Sequence, residues 1–374
     1  MQARVKTYFQ KPLQLDTLTI PNRAILSPLA GVSDIPFRRI CHELNAGLAY
    51  VEMLSAPGVM HGNRKTNDIV QRHPAEPRCG VQLTGPTPES IATAGRMLLE
   101  RGFDTIDINM GCPVRKIVKK GWGSAILKEP DRVGATMAAL KEAVDVPATA
   151  KIRLGYTAET INVEEICTIL AQAGAVMITI HGRVRSDRYN QPVQYDMIKL
   201  GIDAAKKVNP NVITVGNGNI FDYATSVEMQ EKTGCDAVLV SRGALGNPWV
   251  FNQIIDGHTV HPYADEWLDV VLRHLDYHIE FYGDALHATV MFRKHLLWYT
   301  SGFPSARKMR PQLSVVKDIA EIRSILQSYA ATIPKDLQRF HNLNETHLRS
   351  SQAEHDPKYE MDRELDRGVG EEGA

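Results

Sequence analysis

The sequence predicts an α/β protein: a (β/α)8 TIM barrel followed by a C-terminal helical domain. Two observations carry that prediction. Eight short β-rich runs, each followed by a helical pattern, recur over about 250 residues. From about Tyr263 onward the strand signal stops and helical periodicity takes over. A doubly wound sheet has the same βαβ rhythm, but the count of eight and the even spacing favour the barrel.

Residues 13–20, followed by Pro21 and Asn22, read as a short hairpin plugging the barrel bottom. The eight runs are residues 24–29, 48–53, 79–83, 105–109, 148–152, 176–181, 212–216 and 237–241. Amphipathic stretches between them include residues 88–101, 132–143 and 163–173. Residues 266–282, 285–299 and 312–331 then predict three or four helices. The expected division is a barrel at 1–260, a helical domain at 261–333 and a charged tail at 334–374. Beyond Ser350 that tail holds eight acids and three Lys/Arg, a composition expected to be disordered.

The 374 residues are 43% hydrophobic and 23% charged, the composition of a soluble globular protein. A net charge of zero argues against a nucleic-acid partner on its own. The tail alone is −5, however, so the rest is +5, and its cations cluster locally. The five cysteines, at 41, 79, 112, 167 and 235, form no CxxC pair and no tight grouping with histidine. No metal site is expected from that pattern, and scattered thiols point to a reducing, cytoplasmic compartment. No basic segment leading an apolar one stands at the start, and no apolar run nears the roughly 20 residues that span a bilayer. A soluble monomer without a membrane partner is the expectation.

Chemistry in such a barrel sits at the C-terminal strand ends. Those ends carry Pro28 and Ala30, Glu52, Gln82, Asn109 and Cys112, Lys151 and Arg153, His181 and Arg183, Asn217 to Asn219, and Ser241 to Ala244. The last two groups occupy the phosphate-site positions. Gly218, Asn219 and Gly243 expose backbone N–H groups, and Arg242 adds a charged fork. Lys151 has three possible uses: a Schiff-base amine, a fixed cation beside a cofactor that gains negative charge, or a lysine reaching out at the rim. His181 is either a satisfied core histidine or a ligand contact. The third glycine of a dinucleotide fingerprint is missing from both 216–218 and 121–123, which disfavours a Rossmann-type cofactor.

The stretch 107–127, DINMGCPVRKIVKKGWGSAIL, is the most informative. It puts Cys112 on a tight loop just past a strand and follows it with Arg115, Lys116, Lys119 and Lys120. The other four cysteines fall in helices or at strand starts and read as packing thiols. As a nucleophile Cys112 would want nearby cations; as a proton donor it would want to stay a thiol. The residues alone leave both roles open.

Together these mouth motifs resemble the tRNA-dihydrouridine synthases. SPLAGVSD (27–34), NMGCPVRKIVKKGWGSAIL (109–127), KIR (151–153), HGR (181–183), GNGNI (216–220) and SRGALGNPWVF (241–251) occur in the family's order and spacing. RKHLLWY (293–299) resembles the bacterial B-type subfamily in particular. The resemblance implies an enzyme that uses FMN, with NADPH as reductant, to reduce uridine in tRNA to 5,6-dihydrouridine. It implies Pro28, Ala30, Gln82, Lys151, His181, Asn217 and Gly243 as the FMN contacts, with Lys151 as the cation beside the flavin. Cys112 matches the catalytic cysteine, expected to protonate C5 of the base. Asn109 would touch base or flavin, and Arg183 would lie near the substrate. The family often has an acid at Asn219 and Gly at Ser241, changes that a cradle of backbone N–H groups survives. Arg115, Lys116, Arg293 and Lys294, with Arg307, Lys308 and Arg310, are expected to face tRNA phosphates. Two rivals explain less. A Schiff-base aldolase-type lyase accounts for Lys151 and the phosphate loops but not for Cys112. A non-catalytic RNA-binding flavoprotein, or an RNA chaperone, makes Cys112 incidental.

Overall fold

Eight parallel strands close on themselves in the computed structural model, which describes residues 7–62, 64–283 and 285–339. An antiparallel hairpin comes first: β1 (Leu13–Leu15) and β2 (Leu18–Ile20). The barrel strands are β3 (Ala24–Leu26), β4 (Leu48–Tyr50), β6 (Cys79–Thr84), β7 (Thr105–Met110), β8 (Ala148–Arg153), β9 (Met177–His181), β10 (Ile213–Asn217) and β11 (Ala237–Val240). β11 pairs with β3, and β4 pairs with β6, so the ring closes. A two-residue strand, β5 (Leu54–Ser55), adds to the mouth end of β6.

The period-2 alternation of strands sorts their residues. Ile106, Ile108 and Met110 of β7 join the apolar core under the helices. Asp107 of the same strand bonds to interior side chains from both neighbouring strands. At the bottom, Leu13, Leu15 and Ile20 of the hairpin pack on inward-facing Ile25, Leu48, Tyr50, Met177 and Val215. The first strand is shorter than its apolar run. Ser27 N still donates to Val240 O (2.9 Å), but Pro28 has no N–H to continue the ladder.

The longer helices are α1 (Ile35–Glu43), α2 (Pro88–Leu99), α3 (Pro130–Ala143), α4 (Val163–Gln172), α5 (Tyr195–Val208), α6 (Tyr223–Thr233) and α7 (Val250–Asp256) around the barrel. Their starts follow local rules: Thr87 and Asp222 cap α2 and α6 with reciprocal side-chain bonds. No described helix is long and apolar enough to cross a membrane.

Three further helices, α8 (Ala264–Tyr282), α9 (Ala285–Tyr299) and α10 (Ile319–Ala330), build a second core. Trp267, Val271, Leu275, Phe292, Leu296, Ile322 and Leu326 bury themselves there with Ile40 of α1 and Leu44, which caps its C-terminus. The helical unit is therefore anchored on the first barrel helix. The single helix expected over 312–331 is broken. A turn at Arg310–Leu313 stops, and α10 restarts with Asp318 accepting from Glu321 N (2.9 Å). The carbonyls of Val315 and Val316 between them accept from the Arg293 guanidinium instead of from a helix. Residues 334–339, read as the start of the tail, are packed. Arg339 is buried and donates to Gly246 O (2.6 Å) and Ser301 O (2.8 Å), which ties the loop after β11 to the helical unit. The rest of the expected tail, residues 340–374, lies outside the described residues.

Candidate active site

Cys112 follows β7 by two residues, on a loop held from several sides. Asn109 Oδ1 accepts from both Gly111 N (3.1 Å) and Cys112 N (2.8 Å). Ser124 donates to Cys112 O through its amide (3.1 Å) and its hydroxyl (2.9 Å). Arg153 Nε donates to Gly111 O (3.0 Å) and its Nη1 to Val184 O (2.7 Å). Gly123 has φ +58°, and a Cβ there would lie 2.8 Å from Cys112 O, so only glycine admits this approach. The result is a half-buried cysteine, outside any disulfide, at a fixed point of the mouth.

A polar belt runs across the barrel beneath it. Gln82 Nε2 donates to Asp107 Oδ2 (2.7 Å), Thr149 Oγ1 donates to Asp107 Oδ1 (2.6 Å), and Asn109 Nδ2 donates to Gln82 Oε1 (2.7 Å). Further round, Lys151 Nζ donates to Asn217 Oδ1 (3.0 Å), and Asn217 Nδ2 donates to Leu239 O (2.9 Å). Burial pushes Asp107 up to about 6, against the pull of Thr149, Gln82 and Lys151. Burial and the neighbouring Arg153 push Lys151 down to about 8, while Asp107 and Cys112 favour its charge.

The glycines after β10 and β11 make the third part. Gly218 (φ +127°) and Asn219 (φ +54°) turn the chain, and their amides donate to no protein acceptor among the described residues. A Cβ on Gly243 would fall 2.1 Å from Ile220 O, so the two loops touch backbone to backbone. The Arg242 guanidinium stacks 4.2 Å over the Tyr189 ring. His181 is held neutral, its pKa well below the usual value, by burial and then by Arg153, Lys151, Arg183 and Arg242. Four cations thus surround His181 at the mouth.

Several residues expected at the substrate have protein partners. Arg183, expected beside the substrate, is fully buried. It donates to Gln191 O (2.8 Å), Tyr189 O (3.1 Å) and Asn219 Oδ1 (3.2 Å), so it shapes the loop after β9 and the turn after β10. The Asn219 side chain is thereby turned to Arg183. Arg293 serves the carbonyls at 315–316, and Lys294 donates to Gly31 O, which joins α9 to the loop bearing Pro28 and Ala30. Pro28 is half-buried and Ala30 exposed on the rim. Lys116, Lys119 and Lys120 are exposed beside Cys112, with Arg115 half-buried among them.

Two features escaped the sequence reading. Asp107, the acid of the belt, sits within an apolar strand run; its inward parity with Asn109 is the available signal. No tight Cys/His grouping is visible along the chain, yet folding brings Asp34, His274, His278 and His295 together, with one ligand atom of each within 4.8 Å of the others. His274 and His278, four apart in a helix, were the only local sign of it.

Known proteins resemble this chain over most of its length. The family described as Dihydrouridine synthase (Dus) matches residues 25–336. The chain is 35% identical over 326 residues to tRNA-dihydrouridine synthase B of Pseudomonas aeruginosa, covering 85% of this chain and 96% of that one. It is 35% identical over 327 residues to tRNA-dihydrouridine synthase B of Escherichia coli K12, covering 85% and 98%. A probable tRNA-dihydrouridine synthase 1 of Synechocystis is 35% identical, covering 87% and 91%. Among solved structures, histamine dehydrogenase from Rhizobium shares the barrel fold at TM-score 0.52 and 13% identity, covering 81% of this chain and 53% of that one. With its barrel, its mouth cysteine and these matches, the chain belongs to the dihydrouridine synthase family, and within it to the bacterial B type.

Proposed function

We propose that this protein is a cytoplasmic, monomeric tRNA-dihydrouridine synthase that holds FMN in the barrel mouth, draws on NADPH and reduces a uridine of tRNA. The observation that carries this reading is Cys112, clamped at the mouth beside Lys151 and above the belt. The mouth suits a flavin mononucleotide by its own chemistry. Among the described residues, two amides after β10 lack protein acceptors, and four cations surround His181. Gly218, Asn219, Arg242, Gly243 and His181 would hold the phosphate, and Lys151, Gln82, Asn217, Pro28 and Ala30 the ring system.

Hydride chemistry toward C6 of the base would come from a flavin held by these residues. The chain supplies the rest. Lys151 is a fixed cation for the negative charge that reduction leaves near it, and its link to Asn217 keeps it aimed. Cys112 Sγ carries the proton that C5 needs. Asn109 fixes the cysteine loop through Oδ1 and the belt through Nδ2. Arg183 and Arg153 position loops through their carbonyls. The uridine has to leave its stack, at a cost of a few kcal/mol that is smallest in a loop. Arg115, Lys116, Lys119 and Lys120 would take tRNA phosphates beside the mouth, with residues 261–333 as the second tRNA-binding surface.

The test is direct. Purified protein should be yellow and, with NADPH, should form dihydrouridine in tRNA taken from cells lacking these enzymes, measured by nucleoside mass. A colourless protein that neither takes up FMN nor forms dihydrouridine would overturn the reading. Borohydride trapping of a substrate on Lys151 would replace it with the lyase.

A further inference from the structure

The junction between barrel and helical unit holds a second constellation that the proposed reaction does not use. Asp34 caps α1, its Oδ1 accepting from Phe37 N (3.1 Å) and its Oδ2 from the Tyr282 hydroxyl (3.0 Å). His274 and His278 leave one face of α8, and His295 comes from α9. All three imidazoles are fully buried. Buried polar atoms are nearly always paired. Here, among the described residues, both nitrogens of His278, both of His295 and Nε2 of His274 have no hydrogen-bond partner. His278 Nε2 stands 3.6 Å from Asp34 Oδ2, too far for one. The rings lie 4.6–5.3 Å apart by centroid, tilted or edge-on, and no nitrogen of one bonds a nitrogen of another.

We propose that Asp34, His274, His278 and His295 bind one divalent transition-metal ion of the zinc type, which pins the helical unit to the barrel. Three imidazoles and a carboxylate are a complete tetrahedral donor set, the closed kind found in structural sites. His274 Nδ1 lies 3.0 Å from the Tyr299 hydroxyl, so donation there leaves Nε2 free to ligate. Tyr282 does the same service for Asp34. Phe37 and Phe292 pack against the imidazoles and keep the site dry. Ligand atoms around tetrahedral zinc stand about 3.3 Å apart, so the four side chains draw inward on binding. Lys294 is the adverse charge, close enough to oppose protons on all three histidines; its ammonium is held on Gly31 O. Because α1 starts directly after the loop of Pro28 and Ala30, the ion would hold the mouth loop and the helical unit as one body.

The experiment uses tag-free holoenzyme purified without chelator. Elemental analysis should find close to one first-row metal per chain. Chelator-stripped protein refilled with Co2+ should show the visible bands of tetrahedral cobalt, and reloading with Zn2+ should raise the thermal midpoint. His295→Gln should lose the metal while keeping its flavin. Since a histidine variant can fail to fold, Asp34→Asn, which retains the capping oxygen, is the second arm, with metal affinity falling roughly tenfold or more. Background metal in the holoenzyme together with no cobalt bands overturns the proposal. So does a metal content that both variants leave unchanged.

Discussion

Asp107 shows how a single residue can be costly to the fold and useful to the site. Its pKa rises from 3.8 to about 6 because burial outweighs two hydrogen bonds and the pull of Lys151. A carboxyl raised in the folded state favours folding below its unfolded value and loses that contribution as pH climbs through about 6. The window is therefore pH 4 to 6, and the cost at neutral pH is about 3 kcal/mol. Asp107→Asn keeps the acceptor for Gln82, and the Thr149 hydroxyl can turn to match it. That variant should unfold at higher denaturant at pH 7 and lose the slope between pH 4 and 6, which equilibrium unfolding at several pH values would measure. Cys112 and Asn109 were legible in the sequence because a strand ran straight into Gly-Cys-Pro. Asp107 was not, because an acid inside an apolar run shows its partners only once Gln82 and Thr149 arrive from other strands. The histidine cluster is the same case across a longer reach, from residue 34 to residue 295.

At the scale of elements, the strands were readable because each is a short apolar run closed by glycine, proline or a polar residue. The exceptions have local causes. Pro28 ended β3 early, and the Arg293 guanidinium took the carbonyls that a continuous 312–331 helix would have used. The cradle is an element-scale device, two turns that fit because Gly243 lacks a side chain. A Cβ there would lie 2.1 Å from Ile220 O, backbone that cannot step aside. Gly243→Ala should therefore push the loops apart and weaken flavin binding by about tenfold or more, some 1.4 kcal/mol. Titration followed by quenching of flavin fluorescence reads it, and an unchanged Kd would show that the close contact does not shape the site.

The whole molecule is a barrel and a helical unit joined by α1, Lys294 and Arg339. Arg339 lies past the point where apolar periodicity fades, so nothing local in the sequence announced that it would be buried. Removing its side chain leaves the carbonyls of Gly246 and Ser301 without their donor. Arg339→Ala should cost about 2–4 kcal/mol and lower the thermal midpoint, whereas cutting the chain after Arg339 removes none of the described contacts. The electrostatic claim also belongs at this scale. The chain is neutral overall, but its cations gather at the mouth and beside Cys112. Binding of tRNA should weaken steeply as salt rises, and Lys116→Ala with Lys119→Ala should flatten that slope by about one to two units. Affinity that ignores salt would remove the rim cations from the interface.

If Cys112 gives the proton that completes the reduction, one comparison isolates that step. Dihydrouridine formation by Cys112→Ala is measured beside the unaltered protein at saturating NADPH and tRNA. The variant's rate should be lower by roughly 10²–10⁴-fold, with flavin content and tRNA affinity unchanged. Dihydrouridine formed at the unaltered protein's rate would contradict that role for Cys112.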